Sequence, residues 1–275
     1  MRLLKGKEVA DKILKNLKEA IKKEKVKPCL AVILVGEDSA SKIYVELKKK
    51  AAKAIGIDFY LYKFKKLTKT SEIVDKIKEL NVNEKIHGII VQLPLPKKTN
   101  TQKIINTIFL EKDADGFSAK SEAVFGGQAR PVFPAAIIKL LESSGASLRN
   151  KKAIVIANSK IFGETMLVAL KQEKIRGKYI LYKNHEKNLL AIKKADLVIT
   201  AVGKPNFLKG DMVKKGAIIV DGGITKIGKK VLGDVDFESV KNKASCVSPV
   251  PGGVGPVTIA CLLENVYFLN KKSQR

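Results

Sequence analysis

The sequence has no tryptophan, three cysteines and only five arginines among its 53 basic residues. Cys29, Cys246 and Cys261 are scattered and odd in number, without metal-ligand or redox spacing. They read as reduced core thiols, which argues against a disulfide scaffold and leaves no metal centre to expect. No apolar run reaches the roughly 20 residues needed to cross a bilayer. The first eight residues, Met1-Arg2-Leu3-Leu4-Lys5-Gly6-Lys7-Glu8, lack the apolar core of a secretory signal. The expectation is a cytoplasmic protein with no membrane partner.

What is present fits a folded enzyme-sized chain. At 45% hydrophobic and 29% charged residues, 275 residues supply enough apolar side chains for a core and suggest two domains. The formal charge of +26 raises the question of nucleic acid, because clustered basic side chains release counterions from a phosphate backbone. The distribution argues otherwise: 48 of the basic residues are lysines spread along the whole chain, and aromatics are only 6%. Arginine is the residue suited to bidentate contacts with bases and phosphates. Diffuse lysine describes a solvated surface that attracts small anionic substrates, and no nucleic-acid partner is expected.

Two series of strands and helices follow one another. The first has strands at Leu30 to Val35, Ile57 to Tyr62 and Gly88 to Val91. They alternate with helical patterns at about Ala40 to Ala54, Ser71 to Leu80 and Thr101 to Leu110. The second has strands near Ala153 to Ala157, Tyr179 to Tyr182, Leu197 to Ala201 and Ala217 to Asp221, with helices near Gly163 to Gln172 and Lys187 to Lys194. A glycine-containing connection at Gly126-Gly127 separates them. Such alternation predicts an α/β fold with parallel sheets and ligands at the carboxyl ends of strands. A last helix from Val257 to about Leu269 is compatible with either unit.

Four short segments carry chemistry. Ser248 to Thr258 is dense in glycine and proline and opens into that last helix. Glycine admits backbone to a ligand and proline stiffens the approach, although an ordinary turn before a helix has the same composition. Tyr44 and Lys48 share one helix face at i and i+4, placing a phenol beside an amine whose pKa burial would lower. Among so many lysines the pair alone is equally a surface coincidence. Gln92, in Val91-Gln92-Leu93-Pro94-Leu95-Pro96, leaves a buried strand where an amide both donates and accepts, or simply marks a strand exit. Lys112-Asp113-Ala114-Asp115-Gly116-Phe117 sets two carboxylates before a glycine turn, Asp113 reading more readily as solvated or turn-capping than Asp115.

Taken together, Val35 through Lys48, Gln92 through Pro96, Asp113 through Phe117, Gly233-Asp234-Val235-Asp236-Phe237 and Pro249 through Pro256 resemble the methylenetetrahydrofolate dehydrogenase/methenyltetrahydrofolate cyclohydrolase family, in the family's order and over nearly the whole chain. The resemblance implies an N-terminal α/β catalytic domain (1–118, with the C-terminal helix 256–275 packing back on it), a Rossmann-like nucleotide-binding domain (119–255) and a cleft between them. It further implies a homodimer. Tyr44 would pack on a tetrahydrofolate derivative, Lys48 would be the principal catalytic residue, Gln92 would assist it and Asp115 would hold the pterin. Pro251, Gly252 and Gly253 would join Tyr44 and Asp115 at the substrate. Asn158, Ser159, Gly163, Ala201, Gly203 and Ile224 would line an NADP or NAD site.

The nucleotide half departs from the family pattern. Asn158 stands where an arginine is expected to meet an NADP 2′-phosphate, and Glu164 adds a negative charge near the pyrophosphate. Phe133 and Ala136 replace a small hydroxyl residue and a glycine near the nicotinamide. His185, in Tyr182-Lys183-Asn184-His185-Glu186, is expected at the surface. These departures leave NAD use, weak dehydrogenase activity and a cyclohydrolase acting alone as alternatives to the bifunctional enzyme. A short-chain dehydrogenase also uses a Tyr-x-x-x-Lys pair, but its nucleotide loop precedes that pair. Here the nucleotide-like region begins near Ala153, after it.

Overall fold

The computed structural model of the chain describes residues 1–117, 129–228 and 230–273. Gly126-Gly127 and the expected boundary at residues 118 and 119 lie outside the described residues. The elements run β1 (Arg2–Leu3), α1 (Gly6–Glu24), β2 (Cys29–Val35), α2 (Ser39–Ile55), β3 (Asp58–Phe64), α3 (Thr70–Val82), β4 (Gly88–Val91) and α4 (Thr101–Thr107), with a 3-10 turn at Leu110–Lys112. They continue with α5 (Val132–Ser143), β5 (Lys152–Ala157), α6 (Lys160–Gln172), β6 (Arg176–Leu181), α7 (Leu189–Lys193), β7 (Leu197–Ala201) and β8 (Ile218–Asp221). The last elements are β9 (Thr225–Ile227), β10 (Lys230–Leu232), α8 (Phe237–Val240), β11 (Cys246–Val247) and α9 (Val254–Ser273). Among the described residues no helix is long and apolar enough to cross a membrane.

The chain divides into two compact units. One comprises Asp11–Val132 and Ile259–Arg275. Its three-stranded parallel sheet has the order β3-β2-β4. Central β2 reads Cys-Leu-Ala-Val-Ile-Leu-Val and is buried at every position, as a strand covered on both faces demands. Edge strand β3 leaves Asp58, Tyr60 and Lys63 exposed. Ile73, Val74, Ile77 and Leu80 of α3 pack on alternate β2 residues Cys29, Ala31, Ile33 and Val35. On α9, Val266 occupies the space that Gly88 of β4 leaves by having no side chain.

The other unit comprises Met1–Ala10 and Phe133–Thr258. Its six-stranded sheet has the order β1-β11-β8-β7-β5-β6, parallel throughout. β5 is flanked by β6 on one side and β7 on the other, so the strand order reverses there and creates the crevice where doubly wound sheets take ligands. A short β9–β10 hairpin stands apart from this sheet.

The apolar runs predicted the main strands closely, and the differences have local causes. α1 was not anticipated, although Val9, Ala10, Ile13, Leu14, Leu17, Ala20 and Ile21 form a helical stripe within its lysines. α5 runs through Pro134, which is tolerated because it sits in the first turn. α4 stops at Thr107 rather than Leu110, where Asn81 intervenes: its Oδ1 accepts from Phe109 N and its Nδ2 donates to Thr107 O. The helix expected at Lys187 to Lys194 is the end of a 3-10 turn, Glu186–Asn188, followed by the five-residue α7. All three cysteines are buried and none is in a disulfide.

Candidate functional site

α2 begins where Asp38 accepts the Ser41 N–H at 2.8 Å, a side-chain cap that fixes the register of the helix after β2. Val45, Ala52 and Ile55 face the core, while Tyr44 and Lys48 lie half-buried one turn apart. Lys48 Nζ donates to Gln92 Oε1 at 2.9 Å. Gln92 is the residue after β4; its backbone N–H continues the sheet by donating to Ile33 O, and its Nε2 donates to Leu93 O at 2.7 Å. Both ends of the amide are therefore committed, and its acceptor points at the amine.

Asp115 arrives from the neighbouring segment. Asp113 bridges to Ile89 of β4, is 2% exposed and accepts the Gly116 N–H at 2.9 Å, so it caps the turn rather than facing solvent. That turn places Asp115 beside Lys48. Burial pushes the Asp115 carboxyl up to about 6, the Lys48 charge pulls it back and Asp113 adds to the rise. Burial likewise lowers the Lys48 amine, with Asp115 opposing. Part of the Asp115 residue still reaches solvent, but its carboxyl lies deep among protein atoms, and the direction of the shift follows the carboxyl. Tyr44 is raised by burial. An amine and a carboxyl whose pKa values are drawn towards each other form a pair suited to moving a proton at neutral pH.

One supporting residue was not anticipated. Asn265 of α9, 5% exposed, donates through Nδ2 to Ala114 O and Arg130 O, both at 2.8 Å, and accepts from Arg130 N at 3.3 Å. It thereby fixes the backbone next to Asp115, whose own carbonyl accepts from Val132 N. The only sequence signal was a carboxamide on the apolar stripe of a helix.

In the other unit, Asn158 follows β5 and Ala201 ends β7, the two strands at the reversal of strand order. Asn158 Nδ2 donates to Val202 O at 2.6 Å, tying these two exits together. Ser159 caps α6 by accepting Phe162 N. Gly163 is set against the Tyr179 ring: a Cβ there would come within 2.3 Å of the ring, so this glycine serves helix-to-strand packing. Gly203 has φ +73° and open space around the position of an added Cβ. Ile224, between β8 and β9, is half exposed. Glu164 pairs with Lys160 at 3.6 Å on the exposed face of α6, which offsets the charge it adds there. Phe133 packs on Phe162, ring centroids 4.9 Å apart, and its Cζ approaches Gly222.

His185 is half-buried at the surface. It stacks on Tyr182 at 4.7 Å, meets Phe207 edge-on and bonds through Nδ1 to Tyr182 O. The glycine and proline run also has a packing component. Gly6 N–H donates to Gly252 O at 2.8 Å, and a Cβ at Gly253 would lie 2.5 Å from Pro249 O. Gly252 itself has φ +101° with open space around it, and Pro251, exposed, precedes it.

Two family models match. The catalytic-domain model of tetrahydrofolate dehydrogenase/cyclohydrolase covers residues 4–115, and the NAD(P)-binding-domain model of the same family covers residues 131–274. A curated relative from Campylobacter hominis, the bifunctional protein FolD, is 44% identical over 96% of this chain and 95% of its own length. The crystal structure of the bifunctional enzyme FolD from Campylobacter jejuni superposes with a TM-score of 0.93 at 39% identity, covering 99% of both chains. That of the Trypanosoma brucei dehydrogenase-cyclohydrolase, complexed with NADP cofactor and inhibitor, gives 0.92 at 30% identity, covering 99% of this chain and 98% of the other.

Proposed function

The chain belongs to the tetrahydrofolate dehydrogenase/cyclohydrolase family, and from that premise we propose that Lys48, Gln92, Asp115 and Tyr44 carry the folate chemistry. The protein is a bifunctional enzyme of one-carbon metabolism: it oxidises 5,10-methylenetetrahydrofolate to the 5,10-methenyl form and hydrolyses that to 10-formyltetrahydrofolate. The observation that carries the residue assignment is the 2.9 Å bond between Lys48 and Gln92, with Asp115 electrostatically coupled to the same amine.

Hydrolysis adds water to the cationic methenyl carbon, breaks one carbon–nitrogen bond and releases a proton. Lys48, its pKa lowered by burial, takes the proton as the water oxygen attacks and returns it to the departing nitrogen. Gln92 holds the amine in place through Oε1. Asp115, as a carboxylate, accepts hydrogen bonds from the pterin, and Tyr44 stacks on its ring. Pro251, Gly252 and Gly253 supply backbone to the substrate, Gly252 by its left-handed conformation.

NADP or NAD, when bound, accepts the hydride lost from the methylene carbon. The residues present fit a dinucleotide. The 13-residue α6 presents its N-terminus directly after β5, at the reversal of strand order, and the backbone at Gly203 stands open. Asn158, Ser159, Gly163, Ala201, Gly203 and Ile224 line this region in the proposed complex. The uncharged Asn158, already committed to Val202 O, offers no guanidinium to a 2′-phosphate. NAD is therefore used at least as well as NADP. A cytoplasmic homodimer, with folate and dinucleotide as its ligands and no nucleic acid or membrane partner, completes the proposal.

The test is to follow methenyltetrahydrofolate hydrolysis and, separately, oxidation of methylenetetrahydrofolate with NAD and with NADP. The expected result is both activities in one preparation. Hydrolysis without reduction of either dinucleotide would identify a cyclohydrolase acting alone.

A further inference from the structure

In the Gly233-Asp234-Val235-Asp236-Phe237 segment the first aspartate is fully buried beside a second one, Asp221 at the end of β8. Asp234 Oδ2 accepts Val202 N–H at 2.6 Å and Oδ1 accepts Lys204 N–H at 2.8 Å; the intervening Gly203 N–H is also turned to this carboxylate. Successive backbone N–H groups arranged in this way form a concavity suited to an anion. Here an internal side chain supplies the anion. Asp221 is held similarly, accepting Gly223 N–H at 2.9 Å, Asp234 N–H at 3.0 Å and Val235 N–H at 2.9 Å. The Thr200 hydroxyl, 3.4 Å from Asp221 Oδ1, faces both carboxylates.

The two aspartates are packed reciprocally. A Cβ on Gly223, two residues after Asp221, would lie 2.2 Å from the Asp234 carboxylate; a Cβ on Gly233, next to Asp234, would lie 2.0 Å from Asp221 Oδ2. Each carboxylate occupies the place of the side chain that the glycine beside its partner lacks. The negative charges are met by backbone N–H groups, and the loops that carry those groups are thereby locked to one another. One loop holds Val202, Gly203 and Lys204 after β7, and another holds Gly222 and Gly223 before Ile224.

We propose that Asp234, braced by Asp221, is a positioning residue for dinucleotide binding. By filling the N–H concavity after β7 it fixes the backbone of Gly203, and through the Gly223 contact it fixes the approach to Ile224. It touches neither substrate nor dinucleotide. The inference rests on the assignment of Ala201, Gly203 and Ile224 to the dinucleotide site, and it goes beyond that assignment by naming what holds those residues in place.

Asp234→Asn tests this in the full-length protein. The amide keeps the shape but turns an N–H towards backbone N–H groups, and loss of a charge-assisted bond of this kind weakens binding by roughly tenfold or more. The KM for NAD or NADP should rise by that factor, with a smaller change in dehydrogenase kcat. Methenyltetrahydrofolate hydrolysis, read in the same preparation, should stay within about twofold, since none of its proposed groups bonds to Asp234. Thr200→Val is the milder companion should Asn at 234 prevent folding; it removes one hydroxyl and should raise the dinucleotide KM roughly two- to fivefold. An unchanged dinucleotide KM in a folded variant, or parallel loss of both activities, overturns the inference. Absence of dehydrogenase activity in the unaltered protein would instead overturn the functional reading on which it rests.

Discussion

Gln92 and Asn158 are both carboxamides at the carboxyl ends of buried parallel strands, one after β4 and the other after β5. They are used in opposite ways. Gln92 turns its oxygen to the Lys48 amine and so holds the group proposed to move the proton. Asn158 turns its nitrogen to the Val202 carbonyl and closes a backbone join. A strand end at a sheet crevice thus supplies position, while the partner of the side chain decides whether that position does chemistry or structure. The unit with Lys48 carries Tyr44, Gln92 and Asp115 as the resemblance names them, whereas the unit with Asn158 keeps the framework and departs from the family pattern at side chains proposed to meet a dinucleotide.

The comparison breaks most decisively at the amine. Lys48→Met should reduce methenyltetrahydrofolate hydrolysis by roughly a hundredfold to ten-thousandfold, the range for loss of a general acid-base group, with an unchanged circular dichroism spectrum. Near-normal turnover would remove Lys48 from its proposed role. Next in size is a pH effect. Because burial raises Asp115 to about 6, its carboxyl gains a proton as pH falls through that value and loses the charge on which the proposed pterin contact depends. Hydrolysis should therefore decline below about pH 6, roughly tenfold per pH unit at the steepest. Asp115→Asn should lower the rate and erase that acid limb; a limb that persists assigns it to another group.

On the nucleotide side the effects are smaller. Asn158→Arg should raise the ratio of kcat/KM for NADP over NAD by about tenfold, the worth of one charge-assisted contact to a 2′-phosphate. An unaltered ratio would show that the residue after β5 does not face the ribose. Smallest is Glu164→Gln. The exposed Lys160–Glu164 pair contributes at most about 0.5 kcal/mol to stability, so the melting temperature should hardly move. A clear gain in dinucleotide affinity would place the Glu164 charge near the phosphates.

The strands were legible because a fully buried parallel strand leaves an unbroken apolar run, as Cys29 to Val35 does. The Tyr44 and Lys48 face was legible because helical spacing is local. Asp115 was separable from Asp113 only in part; the structure shows Asp113 spent on the Gly116 turn. Asn265 was illegible, since its two partner residues, Ala114 and Arg130, lie 151 and 135 residues away and leave no periodic trace. So were β1 and β11, two residues each, whose pairing extends the larger sheet to six strands. The contacts of His185 with Tyr182 and Phe207 were illegible too, because Phe207 lies 22 residues further along the chain.

By itself the sequence determined the α/β class, the family and the face that carries Tyr44 and Lys48, since all three depend on spacing along a single chain. Only the tertiary structure decided that Gln92 and Asp115 converge on the Lys48 amine, and that Asp221 and Asp234 fill each other's glycine gaps. Those arrangements arise from sheet order and from burial. Both bring distant residues within hydrogen-bond range and shift their charges, and neither is written in any local pattern.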